Sequence, residues 1–191
     1  MFNVEFPSEK VLEDYVCHKL AAERLCPVSG SHIDKFTRQY PLSKYGIADV
    51  VKIQVSDRSV LITVLELKNE PLKEAHLSQV SKYMTGIQQQ AKRHMKIAAR
   101  YGIDVQVRGE IAGPFDCNRG DFVFLLENIK DINAYSISAS LDSGFSSSLI
   151  NTGWHMNGAD FTTCSPIAKE IAALIAEEAD APLNVVPIRA R

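Results

Sequence analysis

The sequence lacks most of the features that announce a function at once. It has no apolar run approaching the roughly 20 residues needed to span a bilayer. No basic segment followed by an apolar stretch opens it, so a cytoplasmic protein without a membrane partner is expected. Its ten glycines are scattered, without the spacing of a phosphate-cradling loop. The cysteines at 17, 26, 117 and 164 form no Cys-x-x-Cys pair and have no paired histidines. That excludes a structural zinc finger and leaves four reduced, mostly buried thiols as the simplest expectation. Ser146-Ser147-Ser148 sits in no Gly-x-Ser-x-Gly elbow, which argues against a serine hydrolase. There are no internal repeats. A net charge of −2 and a pI near 6.2 do not suggest a nucleic-acid binder, so any such contact must come from a local basic face.

What is present reads as one α/β domain. At 191 residues and 46% hydrophobic, the chain has enough apolar material for a sizeable core. Ser8 caps a first helix running to about Leu25, with Leu12, Val16 and Leu20 as its buried stripe. A loop follows at 26–31, then a strand from Lys35 to Tyr40 and a loop at 41–46. Strands at 47–56 and 59–69 form an antiparallel hairpin around Asp57-Arg58. A long helix covers about 73–100, and Asp104 to Ala112 reads as another strand. The order is αβββαβ, a core over about 7–112, with the last strand beside the hairpin's second.

In the extension, 113–179, Asp121 to Leu126 reads as an apolar strand and Asn133 to Leu141 as an alternating one. Residues 142–158 read as a polar loop holding Trp154 and His155. Ser165 caps a final helix to about Ala179. Residues 180–191 read as a flexible tail. The added strands are expected to extend the same mixed sheet or cover it.

The chemistry concentrates between 46 and 83. Residues 60–68, VLITVLELK, form an aliphatic strand that ends by carrying Glu66 and Lys68. Side chains alternate along a strand, so Glu66 and Lys68 share a face. A buried Glu and Lys are costly unless paired or metal-bound. The hairpin brings Asp49, near the start of the preceding strand, towards both. Asp49, Glu66 and the Leu67 carbonyl are oxygen ligands suited to Mg²⁺ or Mn²⁺. Lys68 would then orient the attacking water or stabilise charge on a phosphate. Gln79 and Tyr83, four apart on the following helix, face the same region. The plainer alternative is an ordinary salt bridge on an α/β sheet, with Tyr83 simply packed.

Asp49, the triplet Glu66-Leu67-Lys68 and the Gln79-x-x-x-Tyr83 motif together resemble the PD-(D/E)XK nuclease superfamily. The segment VLELKNEPLKEAHLSQVSKYM and the opening PSEKVLEDYV look most like its NucS-like and RecB-like branches. Ala48 stands where the superfamily's name places proline. The resemblance covers roughly residues 7–112. It implies a restriction-endonuclease-like fold and Mg²⁺- or Mn²⁺-dependent hydrolysis of phosphodiesters, with DNA the expected partner and endonuclease action the expected mode. It also implies an acidic residue on the first helix facing the site: Glu9 fits the Ser-Glu position and Glu13, one turn on, competes with it. Cutting both strands of a duplex would favour a homodimer. The rival expectation is a catalytically silent member of the same fold, binding nucleic acid or protein.

A basic face is expected from Lys82, Lys92, Arg93, Lys96, Arg100 and Arg108, opposed only by Asp104. Helix geometry puts Lys92, Lys96 and Arg100 on one stripe with Arg93 beside it, a candidate grip on phosphates near the site. His76 and His94 are expected to be solvated on that helix. Glu110 and Glu127 are read as packed or salt-bridged.

Overall fold

A computed structural model describes residues 6–116, 120–140, 144–151 and 165–180. The elements are α1 (Glu9–Glu23), β1 (Lys35–Pro41), a 3-10 turn (Ser43–Tyr45), β2 (Ile47–Val55), β3 (Ser59–Leu67), α2 (Glu74–Arg100) and β4 (Asp104–Gly113). They are followed by α3 (Gly120–Asn128), β5 (Ile132–Ser140), β6 (Gly144–Leu149) and α4 (Pro166–Asp180). One six-stranded mixed sheet runs in sequence order, β1-β2-β3-β4-β5-β6. The β1-β2, β2-β3 and β5-β6 pairs are antiparallel; β3-β4 and β4-β5 are parallel. No helix among the described residues is long and apolar enough to cross a membrane.

The sheet is apolar on both faces. Val51, Ile53, Val55, Val60, Ile62 and Val64 pack under α2 and α4. Val50, Leu65 and Leu67 pack with Leu12, Val16 and Leu20 of α1. Ser8 caps α1, its Oγ accepting from Val11 N at 3.3 Å. In α2 the residues Leu77, Val80, Met84, Ile87, Ala91, His94 and Ala98 are buried at alternating steps of three and four, the spacing of one helix face. That face lies so close to β4 that a Cβ at Gly109 would come within 2.4 Å of Val80 Cγ1, so only glycine fits there.

Two expected elements differ. Residues 121–126 are not a strand but the body of α3. A six-residue apolar run has no period that separates strand from helix. Here Phe122 and Leu126, four apart, supply the buried helical pair. The expected loop at 142–158 contains β6, whose Ser138–Ser146 hydroxyl contact at 2.8 Å ties it to β5. Serines carry no strand signal of their own, so the partner strand decides. β5 and β6 extend the sheet, as anticipated for the C-terminal strands. Trp154, His155, Cys117 and Cys164 lie outside the described residues, as does 181–191. Cys17 and Cys26 are buried free thiols.

The edge of the sheet opens at one place. β1 stays paired with β2 as far as Pro41↔Ile47, whereas β2 pairs with β3 only from Val50↔Leu65 onward. Ala48 and Val51 both join the core under α2, while Val50 joins the core under α1. Strict alternation cannot do this, so β2 is twisted around Asp49. The ends of β1 and β2 lean away from β3, and the candidate site lies in the fork.

Candidate active site

The fork leaves the N–H of Leu67 without a ladder partner. Asp49 replaces it: its Oδ2 accepts from Leu67 N at 2.9 Å. The aspartate is thereby fixed beside the Glu66-Leu67-Lys68 triplet, although no side-chain pairing in the regular ladder holds it there. Burial pushes the Asp49 carboxyl up, opposed by the Leu67 hydrogen bond and by the charge of Lys68.

Glu66 is 1% exposed and lies on the α2 face of β3. Its Oε1 accepts from Lys68 Nζ at 2.8 Å and from Gln79 Nε2 at 2.6 Å. Its Oε2 is buried and accepts no hydrogen bond. Burial, and then the charge of Asp49, push its pKa up to about 7, against the pull of Lys68. A buried carboxylate oxygen without a donor is costly, and a neighbouring carboxylate adds to that cost. A cation between Asp49 and Glu66 would relieve both.

Lys68 is buried too, which pulls its pKa down. The hydrogen bond and charge of Glu66, with Glu9 and Asp49, outweigh that, so the ammonium is held above its ordinary range. Lys68 therefore acts as a fixed positive charge and donor, not as a base. Glu9 Oε2 stands 3.7 Å from Lys68 Nζ. Of the two first-helix carboxylates, Glu9 is thus the one beside Lys68. Glu13 has both oxygens engaged, by Arg38 Nε and by Gln39 Nε2.

Gln79 joins the helix to the site. Its amide nitrogen donates to Glu66 and also to the Tyr83 hydroxyl, at 2.9 Å. One amide has two hydrogens to give, and both are used. Tyr83 is pressed against Gly46 in the turn before β2: a Cβ there would meet Tyr83 Cε1 at 3.1 Å, and φ is +113°. Glycine is required at that point on both counts.

The residues present fit a hard divalent cation. Among the described residues no three His, Cys, Asp or Glu side chains gather as a metal-binding group. A cation here would take carboxylate oxygens from Asp49 and Glu66, with main-chain oxygen such as that of Leu67 and water completing the shell. That is the ligand set Mg²⁺ and Mn²⁺ accept.

The basic stripe is placed elsewhere. Lys92, Arg93, Lys96 and Arg100 are exposed, as expected. At about 1.5 Å per residue, they lie about 20 to 32 Å along α2 from Gln79. They are not beside the site, contrary to the expectation of a local phosphate grip. His76 and His94 are buried rather than solvated. His76 Nδ1 accepts from Lys73 N at 3.3 Å and its Nε2 contacts Glu70 at 3.1 Å, closing the first turn of α2. The sequence reading also missed Lys52. It is 1% exposed on the α1 side of the sheet, with Glu110 Oε2 at 2.5 Å and Ser29 Oγ at 3.1 Å. A lysine inside the apolar run IADVVKIQV was the available signal. Glu110 is salt-bridged, as read; Glu127 is exposed.

No protein-family model matches this chain, and neither a curated protein nor a solved structure matches it.

Proposed function

We propose that this protein is a metal-dependent nuclease of restriction-endonuclease-like fold, hydrolysing phosphodiesters of DNA in the cytoplasm. The observation that carries the reading is Glu66: a buried carboxylate with one unpartnered oxygen, charge-coupled to Asp49 and hydrogen-bonded to Lys68. The αβββαβ order, the antiparallel β2-β3 pair and the parallel β3-β4 pair support the fold assignment. They add nothing about substrate.

In this reading Asp49 and Glu66 hold Mg²⁺ or Mn²⁺, with the Leu67 carbonyl as a further ligand. Such an ion supplies Lewis-acid polarisation of a phosphoryl oxygen and a more acidic bound water. Lys68, already charged, leaves Glu66 for the reacting phosphate and stabilises negative charge as it develops. Gln79 keeps Glu66 Oε1 fixed while Lys68 is engaged elsewhere, and Tyr83 keeps Gln79 fixed. Glu9 stands ready to hold the Lys68 ammonium or a site water.

The second reading has its own support. Lys68 Nζ already donates to Glu66 Oε1 at 2.8 Å, a resting ion pair that a catalytically silent member of the fold, binding nucleic acid or protein, would also hold. The experiment that separates them is incubation of the purified protein with linear, circular and single-stranded DNA and with RNA, with and without Mn²⁺. Metal-dependent cleavage lost in Glu66→Ala supports the nuclease. Absence of cleavage on every substrate supports the silent module.

A further inference from the structure

α2 carries no Asp or Glu after Glu74. Of its lysines and arginines, Lys82 is the one nearest Gln79. Gln79, Lys82, Tyr83 and Gly86 follow the i, i+3, i+4, i+7 pattern of one helix face. Lys82 is exposed, and it lies about 4.5 Å along the helix axis from Gln79. The stripe that begins at Lys92 is far from the site, but Lys82 is beside it.

A second cation comes from the turn between β1 and β2. Tyr45 N donates to Leu42 O at 3.0 Å and Leu42 N to Gly46 O at 2.7 Å, closing the turn. Two glycines let it lie against α2. Gly46 admits Tyr83, and Gly86 admits Tyr45, because a Cβ at Gly86 would meet Tyr45 Cβ at 3.1 Å. A glycine inside a helix lowers stability relative to alanine; here the close approach of the turn requires it. The turn is thus joined to the site by contact. Gly46 meets Tyr83, Tyr83 accepts from Gln79 at 2.9 Å, and Gln79 donates to Glu66 at 2.6 Å. Lys44 projects from this turn, exposed, with Nζ 5.2 Å from the centre of the Tyr45 ring. A cation over an aromatic face is oriented but keeps its charge. Lys68, Lys73 and Arg38 are engaged by Glu66, Glu70 and the Glu13 and Asp14 pair. Among the described residues neither Lys44 nor Lys82 has a carboxylate partner.

We propose that Lys44 and Lys82 form a phosphate-binding subsite beside the candidate active site, holding the nucleic-acid backbone next to the scissile bond. The inference rests on the nuclease reading above and deepens it by saying where the substrate strand lies. Tyr45 is a positioning residue that aims Lys44. The ligand is a run of phosphodiesters. A lysine binds phosphate as a point charge, and such contacts position a strand without reading its bases. Binding here is therefore independent of sequence. Beyond Lys82, α2 opposes the strand with no carboxylate of its own.

The test is fluorescence anisotropy of labelled single-stranded and duplex DNA oligonucleotides with the full chain, without divalent metal, across a salt series. Each phosphate contact adds close to one unit to the slope of log affinity against log salt. With 1 M salt as reference, one unit is about tenfold in affinity at 0.1 M. Lys44→Ala and Lys82→Ala should each flatten the slope by about one unit and weaken binding about tenfold at 0.1 M salt; the double variant should lose about 100-fold. Lys44→Arg, which keeps the charge, should restore most of the binding. Lys35→Ala removes an equal charge at the far end of β1 and should leave the slope unchanged. Circular dichroism checks each fold, and Lys44→Gln or Lys82→Gln covers an alanine variant that does not fold. Unchanged affinity and slope in the folded Lys44 and Lys82 variants, or an equal loss in Lys35→Ala, overturns the subsite and leaves the metal site standing. No binding of either DNA by the unsubstituted protein, with or without Mn²⁺, overturns the DNA reading and this inference with it.

Discussion

Glu66 and Lys68 lie on one face of β3 and share a hydrogen bond of 2.8 Å, yet Glu66 keeps its second oxygen buried and without a donor. The pair is therefore only half satisfied. Burial and the nearby Asp49 outweigh Lys68 and lift the Glu66 pKa to about 7.

That displacement makes stability depend on pH. A carboxyl whose pKa is raised in the folded state binds more protons there than in the unfolded chain, so stability falls as pH rises between the unfolded value and the folded one. For Glu66 the window runs from its ordinary value of 4.5 to about 7. The loss is on the order of 3 kcal/mol, from about 1.4 kcal/mol per unit. Metal-free protein should lose this much between pH 4.5 and 7 in denaturant titrations, and Glu66→Gln should flatten that limb. A limb unchanged in Glu66→Gln would assign the pH dependence to other groups.

Lys68 should matter for rate more than for metal. Lys68→Met removes the donor that the proposed mechanism turns from Glu66 to the phosphate, and on that mechanism kcat should fall about 10²- to 10³-fold, by analogy with other charge-stabilising donors. The Mn²⁺ dissociation constant should move far less, since Lys68 is not a ligand. Equal losses in both would make Lys68 part of the metal site itself.

Gly46→Ala is expected to disturb the site from outside it. The new methyl meets Tyr83 at 3.1 Å and must adopt φ +113°. Strain of this sort costs about 1–3 kcal/mol. Displacing Tyr83 also removes one of the two acceptors that hold Gln79. Thermal denaturation and cleavage rate should both fall, whereas Tyr83→Phe should lower the rate with a smaller change in stability. Wild-type melting of Gly46→Ala would refute the packing argument.

Much of this was legible in the sequence, for reasons that individual residues make clear. The α2 face could be read because Leu77, Val80, Met84 and Ile87 repeat with helical period. The Glu66–Lys68 pairing could be read because alternation fixes which residues share a face. Asp49 reached the triplet as expected, but through the Leu67 N–H, a contact that depends on the fork between β2 and β3 and leaves no mark in the residue pattern. Lys52–Glu110 spans 58 positions and could be found only by pairing β4 beside β3 in register. The stripe from Lys92 to Arg100 shows the reverse problem: its shared face was legible, while its distance from the site followed from the length of α2.

The buried Lys52–Glu110 pair should be structural alone. Lys52→Met would strand the Glu110 carboxylate in the core, a change that typically costs about 3–5 kcal/mol. Unfolding midpoints should drop accordingly, and Mn²⁺ affinity of the protein that remains folded should not change. A selective loss of metal binding would connect this pair to the site across the sheet.

The α2 stripe is tested by reversing Lys96 and Arg100 to Glu. If nucleic acid runs along α2 from the site, affinity should fall across sequences and its salt dependence should flatten, because fewer counterions are released on binding. The Mn²⁺ dissociation constant should stay as it was. Unchanged affinity and salt slope would leave the stripe as a solvated helix face.

The most direct test of the account is calorimetric titration of Mn²⁺ into the unsubstituted protein, Asp49→Ala and Glu66→Ala, with circular dichroism on each sample. The account predicts Mn²⁺ binding by the unsubstituted protein and its loss in both variants, with the fold retained. No binding by the unsubstituted protein, or full binding by the two folded variants, would contradict it.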